Sequence, residues 1–215
     1  MEIVQHSQAI LLKLGAGWVL WVLVVLSIVS VAVVVERLLA LRALRVPGSL
    51  LRESLREALR VGGFGSGVSS MSRHRHPAAR VALRGMESGT KVVAEARTVM
   101  DAEIIAQRRL LERRFAFLAT LGANAPFVGL LGTVIGILQA FNALGVAAAG
   151  NAKAALDPSH VMTGVGEALV ATAVGLAVAI PAIVAFNVLQ RVVKGALDDA
   201  QTLALEVVAY LEGKA

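Results

Sequence analysis

The chain has 215 residues, of which 57% are hydrophobic and only 17% charged, and its mean hydropathy is +0.73. Soluble domains are nearer about 45–50% apolar and about 25% charged, so this composition favours a membrane protein. The absence of cysteine excludes disulfides, cysteine-based zinc sites and thiol nucleophiles.

The formal net charge of +6 is concentrated in one segment. Residues 37–114 hold 16 of the 21 lysines and arginines against seven acidic residues. Only Phe64 and Phe115 supply aromatic rings in or beside this segment, which is few for stacking on bases. Because a basic segment between membrane spans is typical of the cytoplasmic side, we expect no nucleic acid partner.

The first long apolar run predicts a transmembrane helix over 14–36, after a short periplasmic N-terminus over 1–13. Trp18 and Trp21 can anchor this span at the interface. A cleaved signal peptide is the alternative, but its apolar core is only about 7–15 residues and a small-residue cleavage site follows it. Here charged residues at 36 and 37 follow the run directly, so we expect a retained span.

Residues 37–114 predict a basic cytoplasmic segment built of helices. Leu51, Leu55 and Leu59 recur at every fourth position, which predicts a short amphipathic helix. The glycine- and serine-rich stretch over 62–77 predicts a flexible linker. Its glycines do not predict a phosphate loop, because no strand precedes them and no GK[ST] follows. The rest of the segment returns to a helical pattern.

Two histidines in this linker, His74 and His76, lie two positions apart among arginines. Such a pair can bind a metal, but the sequence shows no further cluster of ligands near it. We therefore expect both histidines in a solvated basic loop, and no metal site.

A second transmembrane helix is predicted over 115–145. The uncharged run from 115 to 152 would be about 57 Å long as one helix, well beyond a hydrocarbon core of about 30 Å. We therefore place the membrane-crossing part near 117–141 and a periplasmic loop over 146–160.

The third transmembrane helix is predicted over 161–190. Its last 23 positions carry no charge, although Glu167 lies near its beginning. Arg191 and Lys194 follow the run, and apolar residues at helical spacing predict a cytoplasmic amphipathic helix over 191–215. The positive-inside rule then predicts a periplasmic N-terminus and a cytoplasmic C-terminus.

Glu167 is the first candidate for function, because a carboxylate within a span is costly unless it faces a partner, a bundle interior or water. One interpretation makes it a proton or cation ligand at the mouth of a path. The other places it at the interface, solvated by head groups, since carboxylates near helix ends reach water. The sequence alone leaves both interpretations open.

Thr133 in the second span and Thr172 in the third are the other pore candidates. The alternative for either residue is a hydroxyl that bonds its own helix backbone. The two spans run antiparallel and each threonine lies roughly seven residues inward from its outer end, so both can share one level. On an ideal helix Thr172 is about 140° around from Glu167. One pore lined by both therefore needs tilt, a distortion near Pro181 or a second lining helix.

Prolines and small residues mark the same two spans. Pro126 and Pro181 each remove a helical hydrogen bond and can bend their span. Rows of small residues let helix backbones approach closely in lipid, which favours an oligomeric bundle. The predicted packing residues are Gly129, Gly132 and Gly136 on the second span and Ala171, Gly175 and Ala179 on the third.

Two strings in these spans resemble the proton-channel family of ExbB, TolQ and MotA. They are NAPFVGLLGTVIGILQAF over 124–141 and GVGEALVATAVGLAVAIPAIVAFN over 164–187, and the likeness extends over roughly 115–195. Three predicted spans are similar to the ExbB/TolQ branch, whereas MotA-type flagellar stators have four.

The resemblance implies an all-α membrane protein whose three transmembrane helices, extended by long cytoplasmic helices, pack as a homopentamer in a bacterial inner membrane. The pentamer surrounds single-span helices of an ExbD- or TolR-like partner, and ion flow drives motion passed to a TonB- or TolA-like protein. The family's pore residues correspond to Thr133, Glu167 and Thr172. Membrane lipids are the remaining partner, and no cofactor is implied.

The sequence therefore predicts a non-enzymatic proton-channel or stator subunit, most like ExbB, that couples the proton motive force to outer-membrane transport. A TolQ-like role in envelope integrity and a gliding-motility stator are the nearest alternatives, and the ion can be H⁺ or Na⁺. Two alternatives come from other classes. One is a scaffold in which Glu167 only orients a neighbouring helix, and the other is a basic module over 37–114 that binds anionic lipid or nucleic acid.

Overall fold

A computed structural model describes residues 17–88, 92–150 and 158–213. The regular structure within these ranges is helical, which confirms the predicted all-α class. The predicted N-terminal segment 1–13 and part of the predicted loop, 151–157, lie outside the described residues. The helices are α1 (Gly17–Ala40), a 3₁₀ helix (Leu41–Arg45), α2 (Gly48–Met71), α3 (Pro77–Glu87), α4 (Val93–Leu111), α5 (Phe115–Gly150) and α6 (Pro158–Leu211).

Three of these helices are long and apolar enough to cross a membrane: α1, α5 up to Gly145, and α6 from Gly164. Each of them overlaps one of the three predicted spans. Helix α5 continues through Gly150, so the segment predicted as a loop over 146–160 begins inside a helix. Helix α6 continues without interruption to Leu211, so the predicted amphipathic tail is the end of the same helix.

The chain forms two compact units, each with its own core. The first unit comprises the described residues within 1–34 and 117–186 and contains most of the three apolar helices. Its core draws on α1, α5 and α6 and consists of Val19, Leu23, Leu121, Ala125, Ile135, Val178, Ala179 and Ala182. Large apolar side chains such as Trp21 and Phe127 remain exposed on the surface of this unit, as lipid-facing helices require.

The second unit comprises the described residues within 35–116 and 187–215. In it α2 packs on α3, and α3 packs on α4. The leucine stripe predicted on α2 is confirmed, since Leu51, Leu55 and Leu59 are all buried. The end of α6 contributes the buried side chains Leu197, Leu203 and Val207 to the same unit.

The prediction of a flexible linker over 62–77 is wrong, because α2 continues to Met71. The helix is interrupted only at Gly62 and Gly63, and Gly63 has φ 61° and ψ −153°, a conformation essentially restricted to glycine. Beyond the interruption Gly67 is buried, and a Cβ there would lie 2.7 Å from the Met86 sulfur on α3. Packing against α3 therefore overrides the low helix propensity of these glycines.

The expectation that His76 is solvated is also wrong. Its side chain is 1% exposed, and its Nδ1 accepts a hydrogen bond of 3.2 Å from the backbone N–H of Ala78, which caps the start of α3. Burial lowers the pKa of His76, an effect that the Asp199 carboxylate opposes and His74 reinforces. His76 is therefore a structural residue, held as a neutral imidazole.

Candidate functional site

The candidate site lies in the first unit, where α5 and α6 pack against each other. A Cβ added to Gly129 would lie 2.7 Å from the Ala171 carbonyl oxygen, and one added to Gly175 would lie 2.7 Å from the Ala125 carbonyl oxygen. Side-chain Cβ atoms essentially never approach other atoms within 3.0 Å. These two glycines therefore allow a direct contact between the helix backbones.

The same seam continues toward the beginning of α6. A Cβ on Gly132 would lie 2.7 Å from the Ala171 Cβ, and one on Gly136 would lie 2.6 Å from the Ala168 Cβ. Rising residue numbers on α5 thus meet falling numbers on α6, so the two helices are antiparallel. Ala179, the last predicted packing residue, is 2% exposed in the core of this unit.

Thr133 lies within this seam, next to Gly132. Its side chain is buried, and its hydroxyl donates a hydrogen bond of 2.7 Å to the Leu130 carbonyl oxygen. The donor of Thr133 is therefore used by its own helix, three residues back, while the oxygen keeps capacity to accept.

Thr172 differs from Thr133. Its Oγ1 atom is buried and has no hydrogen-bond partner among the residues that the structure describes. Its Cα lies 3.0 Å from the position that a Cβ on Gly129 would take, so the residue borders the closest helix contact. A buried hydroxyl without a partner costs about 1–3 kcal/mol, which makes Thr172 the exceptional polar group of the seam.

The structure places the two threonines near the same level of the helix pair. Thr133 follows Gly132 and Thr172 follows Ala171, and Gly132 and Ala171 are the positions that face each other. No hydrogen bond joins the two hydroxyls, because Thr133 donates to its own backbone and the Thr172 hydroxyl has no partner among the described residues. The two threonines therefore lie near the same level of the α5–α6 pair, but within one chain they form no direct proton relay.

Glu167 is exposed on the surface of the first unit. It makes no hydrogen bond or ion pair with the residues that the structure describes. The neighbouring Ala168 faces the α5 seam, whereas Glu167 and Thr172 are about 140° apart around α6. One chain therefore does not bring Glu167 together with either threonine.

The two prolines expected to bend the spans lie inside continuous helices. Helix α5 includes Pro126, which is half-buried, and α6 includes Pro181, which is exposed. Each proline lacks an N–H donor, so one carbonyl on each helix is free of its usual helical bond.

A second polar cluster, in the second unit, ties α2 to α6. Glu206 accepts hydrogen bonds from Arg52 Nε at 2.6 Å and from Arg56 Nε and Nη2, both at 2.8 Å. Hydrogen bonding by Arg56 lowers the pKa of Glu206, against the effect of burial and with further help from Arg52. The same bond raises the pKa of Arg56. Glu206 is therefore held as a carboxylate.

A third cluster, also in the second unit, lies at the end of α1. Glu36 accepts a hydrogen bond from Arg37 at 2.7 Å and forms an ion pair with Arg114. Arg114 has a φ of 68°, in the left-handed region that residues other than glycine seldom adopt. The ion pair thus fixes the residue that immediately precedes α5.

The α5–α6 seam offers the two threonine hydroxyls, and the surface of α6 offers the Glu167 carboxylate; all three groups can exchange or relay protons. Within the described ranges, no group of three histidine, cysteine, aspartate or glutamate side chains could hold a metal ion.

Comparison with known proteins identifies the family. A model of the "MotA/TolQ/ExbB proton channel family" matches residues 73–202, more than half of the chain. This chain belongs to that family. The matched range includes Thr133, Glu167 and Thr172.

Curated relatives place the chain in the ExbB-like branch of the MotA/TolQ/ExbB family. A "Putative biopolymer transport protein ExbB-like 2" of Helicobacter pylori is 49% identical over 81 residues, 38% of this chain and 50% of the relative. "Biopolymer transport protein ExbB" of Salmonella typhimurium is 41% identical over 112 residues, 50% of this chain and 43% of the relative. The same-named protein of Aquifex aeolicus is 43% identical over 93 residues, 43% of this chain and 59% of the relative. The chain thus matches about half the length of these relatives.

Sequence reasoning missed the roles of Glu206 and His76. The arginines at every fourth position of α2 were visible as a polar face, but the buried carboxylate that joins two of them lies 150 or more positions away. For His76 the signal was present, because a residue directly before a proline at a helix start often serves as a cap.

Proposed function

We propose that this ExbB-like chain is the channel-forming subunit of an inner-membrane machine that couples the proton motive force to mechanical work on a TonB- or TolA-like partner, for outer-membrane transport. The observation that carries the proposal is the buried Thr172 hydroxyl, which has no hydrogen-bond partner within the described part of the chain. The names of the ExbB relatives, which are biopolymer transport proteins, support the transport role.

The Thr172 hydroxyl lacks a partner where water is scarce. In hydrocarbon no solvent replaces a missing hydrogen bond, so such a group is retained at a cost of about 1–3 kcal/mol unless a partner comes from elsewhere. A proton-carrying group of another chain supplies such a partner. Thr133 lies near the same level with its oxygen able to accept, so the two hydroxyls can border one path.

The position of Glu167 also supports a path lined by more than one chain. A carboxylate within a transmembrane helix is costly unless it faces water, a partner or the bundle interior, and Glu167 is exposed on its own chain. Because Glu167 and Thr172 lie on different sides of α6, a path that uses both is lined by more than one copy. We therefore propose a homopentamer with a single-span ExbD- or TolR-like helix inside, and no enzymatic activity.

Proton flux into liposomes tests the proposal. The full chain, purified with its co-expressed single-span partner, is compared with Glu167→Gln and Thr172→Val, which keep side-chain size and remove proton exchange. We expect flux to fall about tenfold or more in either variant, because loss of one proton carrier interrupts a relay. Thr120→Val is the matched control, since Thr120 is an exposed hydroxyl on α5 outside the seam, and it should leave flux within about twofold of wild type.

Other outcomes assign other functions. Unchanged flux in both site variants rejects this site. A complex that assembles fully, conducts no ions and keeps its cellular role with Glu167→Gln is a scaffold. Replacing H⁺ by Na⁺ gradients identifies the ion, and the co-purifying partner distinguishes the ExbB-like role from a TolQ-like or gliding-motility stator.

A further inference from the structure

A groove lined by three arginines runs between α2 and α6 in the second unit. Arg52, Arg56 and Arg60 recur at every fourth position of α2 and line a cavity of about 760 Å³. Each step of four residues along a helix advances about 6 Å, so the Cα atoms of the three arginines form an evenly spaced row. The opposite wall belongs to α6 and includes Leu205 and Tyr210.

The first two arginines of this row are held in place from within the protein. Glu206, which is 8% exposed, accepts bonds from both Arg52 and Arg56. The two arginine side chains nevertheless remain 44% and 57% exposed. Since each guanidinium has five N–H donors and Glu206 engages one or two of them, donors remain for a ligand in the groove.

Arg60 lines the groove but takes no part in the ion pairs that join α2 to α6. It lines the same cavity and is exposed, yet it forms no ion pair with any residue in the described part of the chain. Three arginines against one glutamate leave the groove with a surplus of two positive charges. Arg60 therefore adds a positive charge to the groove that the ion pairs between α2 and α6 do not use.

The dimensions of the groove favour a peptide over a small anion. The cavity follows α2 from Arg52 to Arg60, about 12 Å. A neighbouring cavity shares Arg52 and Arg56 but is also lined by Glu53 and Asp199, so the surplus of positive charge is confined to the first cavity. A single phosphate group covers only one step of the arginine row. Leu205 is 57% exposed on the α6 wall and offers an apolar contact that an inorganic anion cannot use.

The position of the groove along α6 also separates it from lipid head groups. Glu206 follows Arg191 by 15 residues of one helix, about 22 Å. A head-group layer is only about 5–8 Å thick on each side of the hydrocarbon core. With Arg191 at the inner border, as the positive-inside rule predicts, the groove lies in the cytoplasm beyond the lipid.

We infer that this groove binds an acidic, amphipathic peptide segment of a partner protein. A helix with glutamates at every fourth position presents carboxylates at the same interval of about 6 Å as the arginine row. Leucines beside those glutamates contact Leu205 and the Tyr210 ring, whose own position is fixed against Phe64 at a centroid distance of 5.2 Å. The binding site is independent of the proposed ion path.

Fluorescence anisotropy tests the inference. The full-length protein, in nanodiscs of uncharged phosphatidylcholine, is titrated against a labelled helical peptide of roughly 18 residues with glutamate at every fourth position and leucine beside it. Arg60→Glu should weaken binding about tenfold or more, and Arg60→Gln by less, because the row loses its free charge. Arg97→Glu is the matched control, since Arg97 is exposed on α4 outside the groove, and it should change affinity less than about twofold.

Several results would overturn the inference. If a peptide with glutamine in place of glutamate binds equally well, charge does not determine binding. If Arg60→Glu and Arg97→Glu weaken binding equally, the effect comes from the net charge of the protein and not from the groove. If inorganic phosphate binds and Arg60→Glu abolishes that binding, while the peptide does not bind, the groove is a site for small anions. A changed oligomeric state in Arg60→Glu assigns the groove to a contact between copies. None of these readouts depends on ion flux.

Discussion

Different interactions stabilise the interior of each of the two units of this chain. In the first unit, α5 and α6 meet through glycines and alanines whose backbones almost touch. In the second unit, side chains meet through charge: every ion pair found among the described residues lies there. The difference follows from the solvent. Apolar side chains gain little by leaving lipid, so helices there associate by close packing, whereas in water burial and charge pairing both contribute.

The largest expected effect comes from disturbing the glycine seam. Gly175→Ala places a Cβ 2.7 Å from the backbone carbonyl oxygen of Ala125, which can shift only if the backbone of α5 shifts with it. We expect this variant to lose about 3 kcal/mol of unfolding free energy in detergent. Gly195→Ala on the same helix is the control, because a Cβ there meets nothing within 4 Å. It should be neutral or stabilise the helix by up to about 1 kcal/mol. Equal effects of the two substitutions would show that the seam is not tightly packed.

A smaller effect is expected from removing the charge pairing of the second unit. Glu206→Ala deletes three hydrogen bonds to arginines, but both arginines are partly exposed and regain water. We expect a loss of about 1–2 kcal/mol in chemical denaturation at neutral pH. Glu57→Ala, an exposed carboxylate on α2 without an ion pair to any described residue, should cost less than about 0.5 kcal/mol.

The contribution of Glu206 should also depend on pH. Because its pKa is lowered in the folded protein, its stabilising effect is complete above the ordinary glutamate pKa and is lost as pH falls through the lowered value. Wild type and Glu206→Ala should therefore converge in strongly acidic solution. Parallel curves down to the lowest pH would contradict this assignment.

The smallest expected effect concerns His76, and it has the same sign as that of Glu206, because protonation opposes folding in both cases. Burial lowers its pKa in the folded protein, so the unfolded chain binds the proton first as pH falls below about 6.5. We expect part of the unfolding free energy to be lost between neutral pH and mildly acidic pH, and this loss should be smaller than that caused by Glu206→Ala. His76→Asn keeps an acceptor for the Ala78 N–H and should flatten this dependence, measured by thermal unfolding across pH. His74→Asn should retain it.

The sequence predicted the parts of the fold that depend on composition along the chain. Three uncharged runs predicted three apolar helices, and the leucine spacing of α2 predicted its buried face. The helical period alone also predicted that Glu167 and Thr172 lie on different sides of α6. These features follow from local pattern, because a helix fixes which residues share a face.

The parts that sequence reasoning did not predict depend on contacts between distant segments. Residues 62–71 contain four glycines and read as a loop, yet most of them are helical because Gly67 and Met71 pack into the second unit. The burial of His76 likewise depends on its neighbours in space. The seam between Gly129 and Gly175 was predicted as two separate rows of small residues, while their pairing required the structure.

The interruption of α2 at Gly62 and Gly63 is a position at which the chain can gain or lose residues. Inserting one residue into an uninterrupted helix turns everything beyond it by about 100°, so an insertion between Arg191 and Glu206 would carry that carboxylate away from its arginines. At Gly62 and Gly63 the helix is already interrupted, since Gly63 departs from helical geometry, so an insertion there does not rotate a continuous helix. Insertions and deletions can therefore be absorbed at this joint, with the leucine stripe before it and the buried Met71 after it each keeping its orientation.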